Sequence, residues 1–589
     1  MNKYFSIVLI LVLSGCVLFK NPPPVEKIKK IDNENMMDSF SYLKKIDLFP
    51  ALNKHIELND MIVDPVIKDG ANLIKFTVKK RSKNFWDQYV NIQFDQPFKK
   101  GDLMGLAIFV NCTESSDESS MGQCTFQHNM PWSGKWQLPI LTKTYSLKKG
   151  WHWYFLPYIA KTRESDKLCI SFKLGLSKPQ SFLVAKAFWY KFDKTKTSFD
   201  KLPYTRISYS GRELDAPWRK EADKRIEKYR KGNFKLKLSY NGIPLKNTKV
   251  NIKLFHHKFA FALAMPPKLY TGPGNKKEEI PEYFNSIVLP NAFKWPFFKY
   301  PHCQKSISEI MEWARQKDLK SRGHCMVWGS FRNMPPNIKQ YEDKPEELRK
   351  HLLAHINEMS IGTPPIMEQW DVINEPFLEK DIMKVCGDKI IDEIMITAKK
   401  ANPNFKTYIN DYGILSGFDL GHQNGFYEIF ERLNKKNIPC DGIGFQAYFG
   451  NFPIAPNEIL KRLDRFNKLG KEMYLTEYNM SNEDPNLFAD YTRDLLTVIF
   501  SYPAMTGFAC WVDMWNPDGS PTKALLNWKH LVKNVWTTNI EPSTDNNGEI
   551  KFNGYRGSYY ISFDTPKGQI TRLVDFSDKN SVDINILPL

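Results

Sequence analysis

Trp370-Asp371-Val372-Ile373-Asn374-Glu375-Pro376 reads as a buried strand that stops on a carboxylate. The apolar run is too short for a helix, and the proline that follows can continue neither a helix nor a central ladder. The pattern therefore predicts a strand over 369–374 with Glu375 just past its C-terminal end. Seven more segments of this kind surround it, at 259–265, 284–289, 321–328, 405–410, 442–446, 473–476 and 506–511. They start roughly 25 to 48 residues apart, with helical stretches such as 306–316 and 347–358 between them. Eight β segments with crossover helices predict an α/β fold, a (β/α)8 TIM barrel over 259–540, whose functional residues stand at the C-terminal ends of the strands.

Outward from the barrel the pattern changes. Residues 51–195 carry short alternating or aromatic runs, at 73–78, 89–94, 106–110, 151–155, 169–174 and 182–190, separated by polar turns. This spacing predicts an all-β sandwich. Its closing run resembles the last strand of jelly-roll carbohydrate-binding modules, and sugar binding there is weighed evenly against a purely structural role. Residues 196–258 are expected to hold a charged connector helix at 218–231 and a β-hairpin of 234–240 with 250–255, turned at Asn241-Gly242. Residues 541–589 are expected to form a small β module appended after the barrel.

The N-terminus carries an address. Lys3, the apolar stretch 5–13 and Leu13-Ser14-Gly15-Cys16 resemble a bacterial lipoprotein signal over 1–16, with Cys16 as the lipidation site. Acyl chains anchor a protein without a spanning helix, so the chain is expected to be extracytoplasmic, lipid-anchored at a bacterial outer membrane or cell surface, with 17–50 as a tether. Cys112 and Cys124 flank a polar loop and are candidates for a disulfide; Cys303, Cys325, Cys386, Cys440 and Cys510 read as small core residues. No Cys/His cluster suggests a metal, and no cofactor is implied.

Composition narrows the partners. The net charge of +18 comes from 83 Lys+Arg against 65 Asp+Glu, but the basic residues are spread evenly and mostly Lys, so nucleic acid is not an expected partner. Aromatic residues make up 14% of the chain, which suits a ligand with flat apolar faces such as a sugar, although each Trp taken singly is more often core.

Glu375 on the fourth predicted strand is matched by Glu477 on the seventh, in Tyr474-Leu475-Thr476-Glu477-Tyr478-Asn479. Two carboxylates facing one cleft are what glycosidic cleavage requires, one protonated toward the leaving oxygen and one ionised across the sugar. Here the resemblance becomes specific. Asp371-Val-Ile-Asn-Glu375, Thr476-Glu477-Tyr478-Asn479, Arg322-Gly323-His324-Cys-Met-Val-Trp328 and Gly442-Ile-Gly-Phe-Gln446 resemble, in order, segments of glycoside hydrolase family 10, the retaining endo-β-1,4-xylanases. The resemblance implies Glu375 as acid/base, Glu477 as nucleophile and Asn374 as donor to the 2-hydroxyl of the sugar being cleaved. Asn291, Lys294, His324, Trp328, Gln446 and Tyr448 match other sugar-binding positions, and Trp511 and Trp515 an aromatic roof. The implied partner is xylan or a related β-1,4-linked plant polysaccharide.

The chain departs from the family pattern at four places. Pro290 replaces a Glu, Gly329 a His, Tyr448 the His that hydrogen-bonds the nucleophile, and Asn479 the Asp that partners that His. A Tyr hydroxyl still offers Glu477 a donor, so a neutral network is expected in place of a charged one. Pro290 and Gly329 keep a β-1,4-glucan or mixed-linkage glycanase open as a second reading, and a non-catalytic glycan-capture protein as a third.

Overall fold

A computed structural model describes residues 35–587 apart from 69, 85, 116–121, 130–138, 161–163, 176, 178, 206, 418–419, 450–452 and 481–483. The signal, Cys16 and most of the expected tether lie outside the described residues.

Eight parallel strands close a barrel in chain order: Ala260–Ala264, Ser286–Val288, Lys320–Trp328, Met367–Asn374, Lys406–Asp411, Gly442–Tyr448, Glu472–Asn479 and Met505–Cys510. Each lies within a few residues of its predicted segment, because buried parallel strands read as uninterrupted apolar runs. Small residues on alternate strands make room for large ones beside them. A Cβ on Gly442 would meet the Tyr408 ring at 2.2 Å, and one on Gly507 the Tyr474 ring at 2.1 Å. Those two tyrosines hold the fully buried Arg322 guanidinium between them, 4.3 and 4.7 Å from their ring centres, where cation–π contact and the Asp371 carboxylate together offset its desolvation. The surrounding helices turn apolar faces inward. Helix Pro485–Ser501, for example, begins with Asp484 accepting from the Asn486 and Leu487 N–H groups at 2.9 and 3.2 Å, a cap that satisfies orphan donors of the first turn.

The charged helix Pro217–Arg230 pins the chain to the barrel wall instead of merely spacing two units. Arg219 pairs with the buried Asp494 at 2.7 Å, and Arg212, ahead of the helix, with Asp490 at 2.7 Å. Arg230 donates to the Tyr502 and Met505 carbonyls at 2.5 and 2.7 Å, with its guanidinium over the Phe259 and Phe500 rings.

Ahead of it stand two packed antiparallel sheets. One has seven strands, with Gln180–Phe192 paired between Ala71–Val78 and Leu103–Ser115; the other has four, ordered Tyr89–Phe94, Leu168–Lys173, Gly122–Asn129, Leu141–Leu147. Phe172 of the smaller sheet meets Phe76 of the larger at 5.8 Å across the core.

Five expectations need correction. The paired segments 234–240 and 250–255 are not a hairpin. Asn241 and Gly242, at φ 51° and 74°, do make a tight turn, but it returns only Ile243–Pro244 onto Lys231–Tyr240. Lys231–Tyr240 then pairs with Glu549–Tyr555 and Ser581–Ile586, and Val250–His257 with Asn539–Ile540 and Gly557–Thr565. The C-terminal residues are therefore not a separate appended module: they complete a small sandwich whose other strands precede the barrel, with Phe234 and Phe552 of one sheet against Tyr559 of the other. The turn signal was local, while partner choice depended on strands some 300 residues away. The tether ends earlier than expected, since Tyr42–Asp47 pairs with Gln180–Phe192 and Leu48 and Leu52 are buried. Cys112 and Cys124 are buried free thiols, and Cys303 and Cys386 are only partly buried.

Among the described residues no helix is long and apolar enough to cross a membrane, and no group of three His, Cys, Asp or Glu is placed to hold a metal ion.

Candidate active site

The C-terminal ends of the third to eighth barrel strands converge on one polar cluster. Glu375 follows directly on the fourth strand with φ at +54°, a conformation uncommon for a side-chain-bearing residue and characteristic of sites that the surroundings hold in place. Its N–H donates to the Asn410 carbonyl at 2.7 Å. Its carboxyl is nearly buried and accepts three hydrogen bonds, from Trp328 Nε1 (3.1 Å), Gln446 Nε2 (2.8 Å) and Asn374 Nδ2 (3.2 Å).

Glu477, on the seventh strand, takes the Tyr448 hydroxyl on Oε2 at 2.6 Å and Asn410 Nδ2 on Oε1 at 3.1 Å. His324 Nδ1 lies 3.8 Å from Oε1. The two carboxylates are thus joined through amides: Asn410 Nδ2 also donates to Asn374 Oδ1 at 2.9 Å, and Asn374 donates to Glu375. Asn410 is fixed in turn by the Thr476 hydroxyl, which donates to its Oδ1 at 2.6 Å.

Desolvation raises the proton affinity of Glu375 above the usual carboxylate range despite the Gln446 hydrogen bond, and the Asp411, Glu477 and Glu379 charges push it the same way. Below it, burial alone would raise Asp371, but Arg322 and His324 Nδ1, 3.0 Å from Oδ2, hold it lowered. Asp371 thereby orients the His324 ring. A carboxyl whose surroundings favour its protonated form is what a general acid needs.

Of the residues expected at the site, Asn291 and Lys294 form one arm: Lys294 Nζ donates to Asn291 Oδ1 at 3.1 Å and sits 5.0 Å from the Trp328 ring centre. Trp511 meets His324 edge-on at 5.4 Å. Trp515 stands apart from this network. Its Nε1 donates to Glu279 at 3.1 Å and its ring meets Tyr283 edge-on at 6.1 Å. Asn479 lies opposite Tyr448 in the strand register. Where the family has a His, Gly329 is packed so closely that a Cβ would come 2.2 Å from the Glu379 carbonyl oxygen.

Sequence reasoning missed Asn410, Asp411 and His422. The first two end the fifth strand, a place that marks barrel function, but neither stands in a motif quoted above. Asp411 is fully buried and lies 3.0 Å from His422 Nε2.

Residues 251–532 match the model of the family described as glycosyl hydrolase family 10. Among curated proteins, anti-sigma-I factor RsgI6 of Acetivibrio thermocellus is 25% identical over 367 residues, covering 59% of this chain and 47% of that protein. A β-1,4-xylanase of Dictyoglomus thermophilum is 27% identical over 211 residues, covering 34% and 58%. The chain spans about half the length of these relatives. Among solved structures, xylanase 10B of Thermotoga petrophila in complex with xylobiose aligns with a TM-score of 0.43 at 21% identity, over 47% of this chain and 94% of that one.

Proposed function

We propose, on the premise that residues 251–532 are a glycoside hydrolase family 10 domain, that this chain is a retaining endo-β-1,4-xylanase acting on xylan backbone by double displacement. The observation that carries the reading is the pairing of Glu375 and Glu477 across one amide network, with desolvation favouring the protonated form of the first.

In the first step Glu375 gives its proton to the glycosidic oxygen while Glu477, oriented by Tyr448 and Asn410, attacks the anomeric carbon; the bond to the leaving sugar breaks and a glycosyl ester forms. Esterification removes the Glu477 charge, so Glu375 ionises more readily and can take a proton from the water that releases the sugar. Asn374, between the two carboxyls, is the donor for the sugar 2-hydroxyl, and Asn291, Lys294, Trp328 and Trp511 bind the chain. The N-terminal sequence supports a lipid-anchored, extracytoplasmic placement, and the likeness of the sandwich's closing run to carbohydrate-binding modules is what favours a sugar-binding role there.

The test is reducing-sugar release from soluble β-1,4-xylan by the chain from Val17, beside Glu477→Ala and with β-glucan as control, while proton NMR follows the anomer released first. Release from xylan as the β-anomer, lost in the variant, is the expected result. Preferential release from β-glucan would move the substrate, and binding without release from either polymer would leave a capture protein.

A further inference from the structure

The chain just after Glu375 is gripped from the end of the fifth strand and from the helix beyond it. Asp411 Oδ2 accepts the Phe377 N–H at 3.4 Å, two residues past Glu375, while Oδ1 accepts the Tyr412 N–H at 2.8 Å and faces His422 Nε2 at 3.0 Å. His422, also buried, stacks on the Phe377 ring at 4.6 Å and 17°. Helix Leu420–Lys435 is pressed onto that ring so closely that a Cβ on Gly425 would lie 2.1 Å from it. With the Glu375 N–H on the Asn410 carbonyl, neighbouring residues of one strand end hold both sides of the left-handed turn.

We propose that Asp411, supported by His422, is a positioning residue for Glu375, fixing the turn that carries it and setting the pH range over which it can give up a proton. This deepens the reading of Glu375 as acid/base and rests on it.

The physical case is geometry plus charge. Asp411 is a buried carboxyl whose desolvation raises its own proton affinity, while the His422 contact and the Tyr412 and Phe377 N–H donors work the other way and favour its anion. Its negative charge opposes ionisation of Glu375, ahead of the charges of Glu477 on the seventh strand and Glu379 in the following loop. The other groups around Glu375 are the Tyr448 hydroxyl on the sixth strand, the Tyr412 hydroxyl beyond the fifth, the buried Cys325 thiol on the third, Lys294 across Trp328, and Arg332, which is paired with Glu379. The Glu477 charge disappears when the glycosyl ester forms; Asp411 takes no part in the ester, so its anion is not consumed by it. Asp411 therefore keeps the acid protonated for the first step and limits how far its proton affinity falls for the second.

The experiment is the pH dependence of kcat/KM on xylan for the full chain, comparing wild type with Asp411→Asn and His422→Phe. Asn removes the charge, so the alkaline limb, where Glu375 loses its proton, should move to lower pH by about one unit. Phe keeps the stack on Phe377 but removes the donor to Asp411. Asp411 then holds its own proton further up the scale, and the limb should move the same way by less. A purely structural role lowers activity and leaves the limb where it is. Folded variants with an unmoved limb overturn the proposal, and His422→Phe alone decides it if Asp411→Asn does not fold. Wild-type inactivity on every polymer overturns the acid/base reading and this inference with it, whereas wild-type activity with an unmoved limb overturns only the inference.

Discussion

Tyr448 donates its hydroxyl to Oε2 of Glu477 at 2.6 Å, although the residue as a whole is 43% exposed. A neutral donor that burial and the Glu477 charge make still harder to ionise thus stands where the family resemblance calls for a histidine. A phenol keeps donating across the whole working pH range, whereas an imidazole changes its donor count as it titrates.

Tyr448→Phe should therefore lower kcat/KM about tenfold or more, since a hydrogen bond to a charged group contributes roughly 1.5 to 3 kcal/mol. The pair is best probed as a unit with Asn479, which lies opposite in the register. Tyr448→His alone leaves the imidazole with Glu477 but without a second carboxylate for its other nitrogen; Tyr448→His with Asn479→Asp rebuilds a charged network. A double-mutant cycle on kcat/KM should give a favourable coupling of about 1 kcal/mol or more. Additive effects would show that the two positions act separately.

The desolvation that readies Glu375 as an acid is a cost to the fold. Its proton affinity is higher in the folded chain than in the unfolded one, so the native state binds the extra proton and stability falls as pH rises through the raised folded pKa. Glu375→Gln removes that cost while keeping an amide in the Trp328 and Gln446 network. The variant should melt higher than wild type at pH 8, with the difference shrinking toward pH 4, where both side chains are neutral. Equal melting temperatures at pH 8 would argue against the desolvated carboxyl.

Asn410 shows where the sequence ceased to be legible. The barrel itself was readable because parallel strands buried on both faces write themselves as apolar runs, and the Glu375 and Glu477 segments because strand ends are where barrel chemistry collects. Asn410 carries no charge and has no motif around it. Its importance comes from geometry that only closure of the barrel creates, one amide reaching Asn374 and Glu477 together. The false hairpin at Asn241-Gly242 failed for the complementary reason: a local turn is encoded locally, but which strands pair is settled by sheets assembled across the inserted barrel. Asn410→Ala should leave two buried acceptors with one donor fewer each and lower kcat/KM roughly 10- to 100-fold. Unchanged kinetics would remove Asn410 from the site.

Arg322 and Asp371 form a fully buried pair beneath the carboxylates, with His324 on the other Asp371 oxygen. Arg322→Met leaves a buried carboxylate without its counter-ion and should cost roughly 3 to 5 kcal/mol at neutral pH. The folded Asp371 pKa lies below its ordinary value of 3.8, so the stability it contributes is present above that value and lost as pH falls through the lowered one. Denaturant titrations of wild type and variant should therefore converge as the pH drops below about 4. A gap that persists in acid would mean that packing, not charge, is what Arg322 supplies.

Gly329 tests whether the departure from the family pattern is a missing residue or a rebuilt loop. The Glu379 carbonyl occupies the space a side chain would need, and the Gly329 carbonyl accepts the Ile382 N–H at 3.0 Å. Glu379 is itself tied to Arg332 and, at 3.2 Å, to Asn333. The loops after the third and fourth strands are therefore locked together at a point where the family pattern has a His. Gly329→His should not restore a hydrogen bond to sugar. It should push Glu379 away, cost roughly 1 to 3 kcal/mol by overpacking, and disturb the turn that begins at Glu375, whose carbonyl accepts the Glu379 N–H at 3.0 Å. The expected outcome is a lower denaturation midpoint together with a lower kcat. Tighter xylan binding at unchanged stability would instead mean that the loop yields and that the position is still available to substrate.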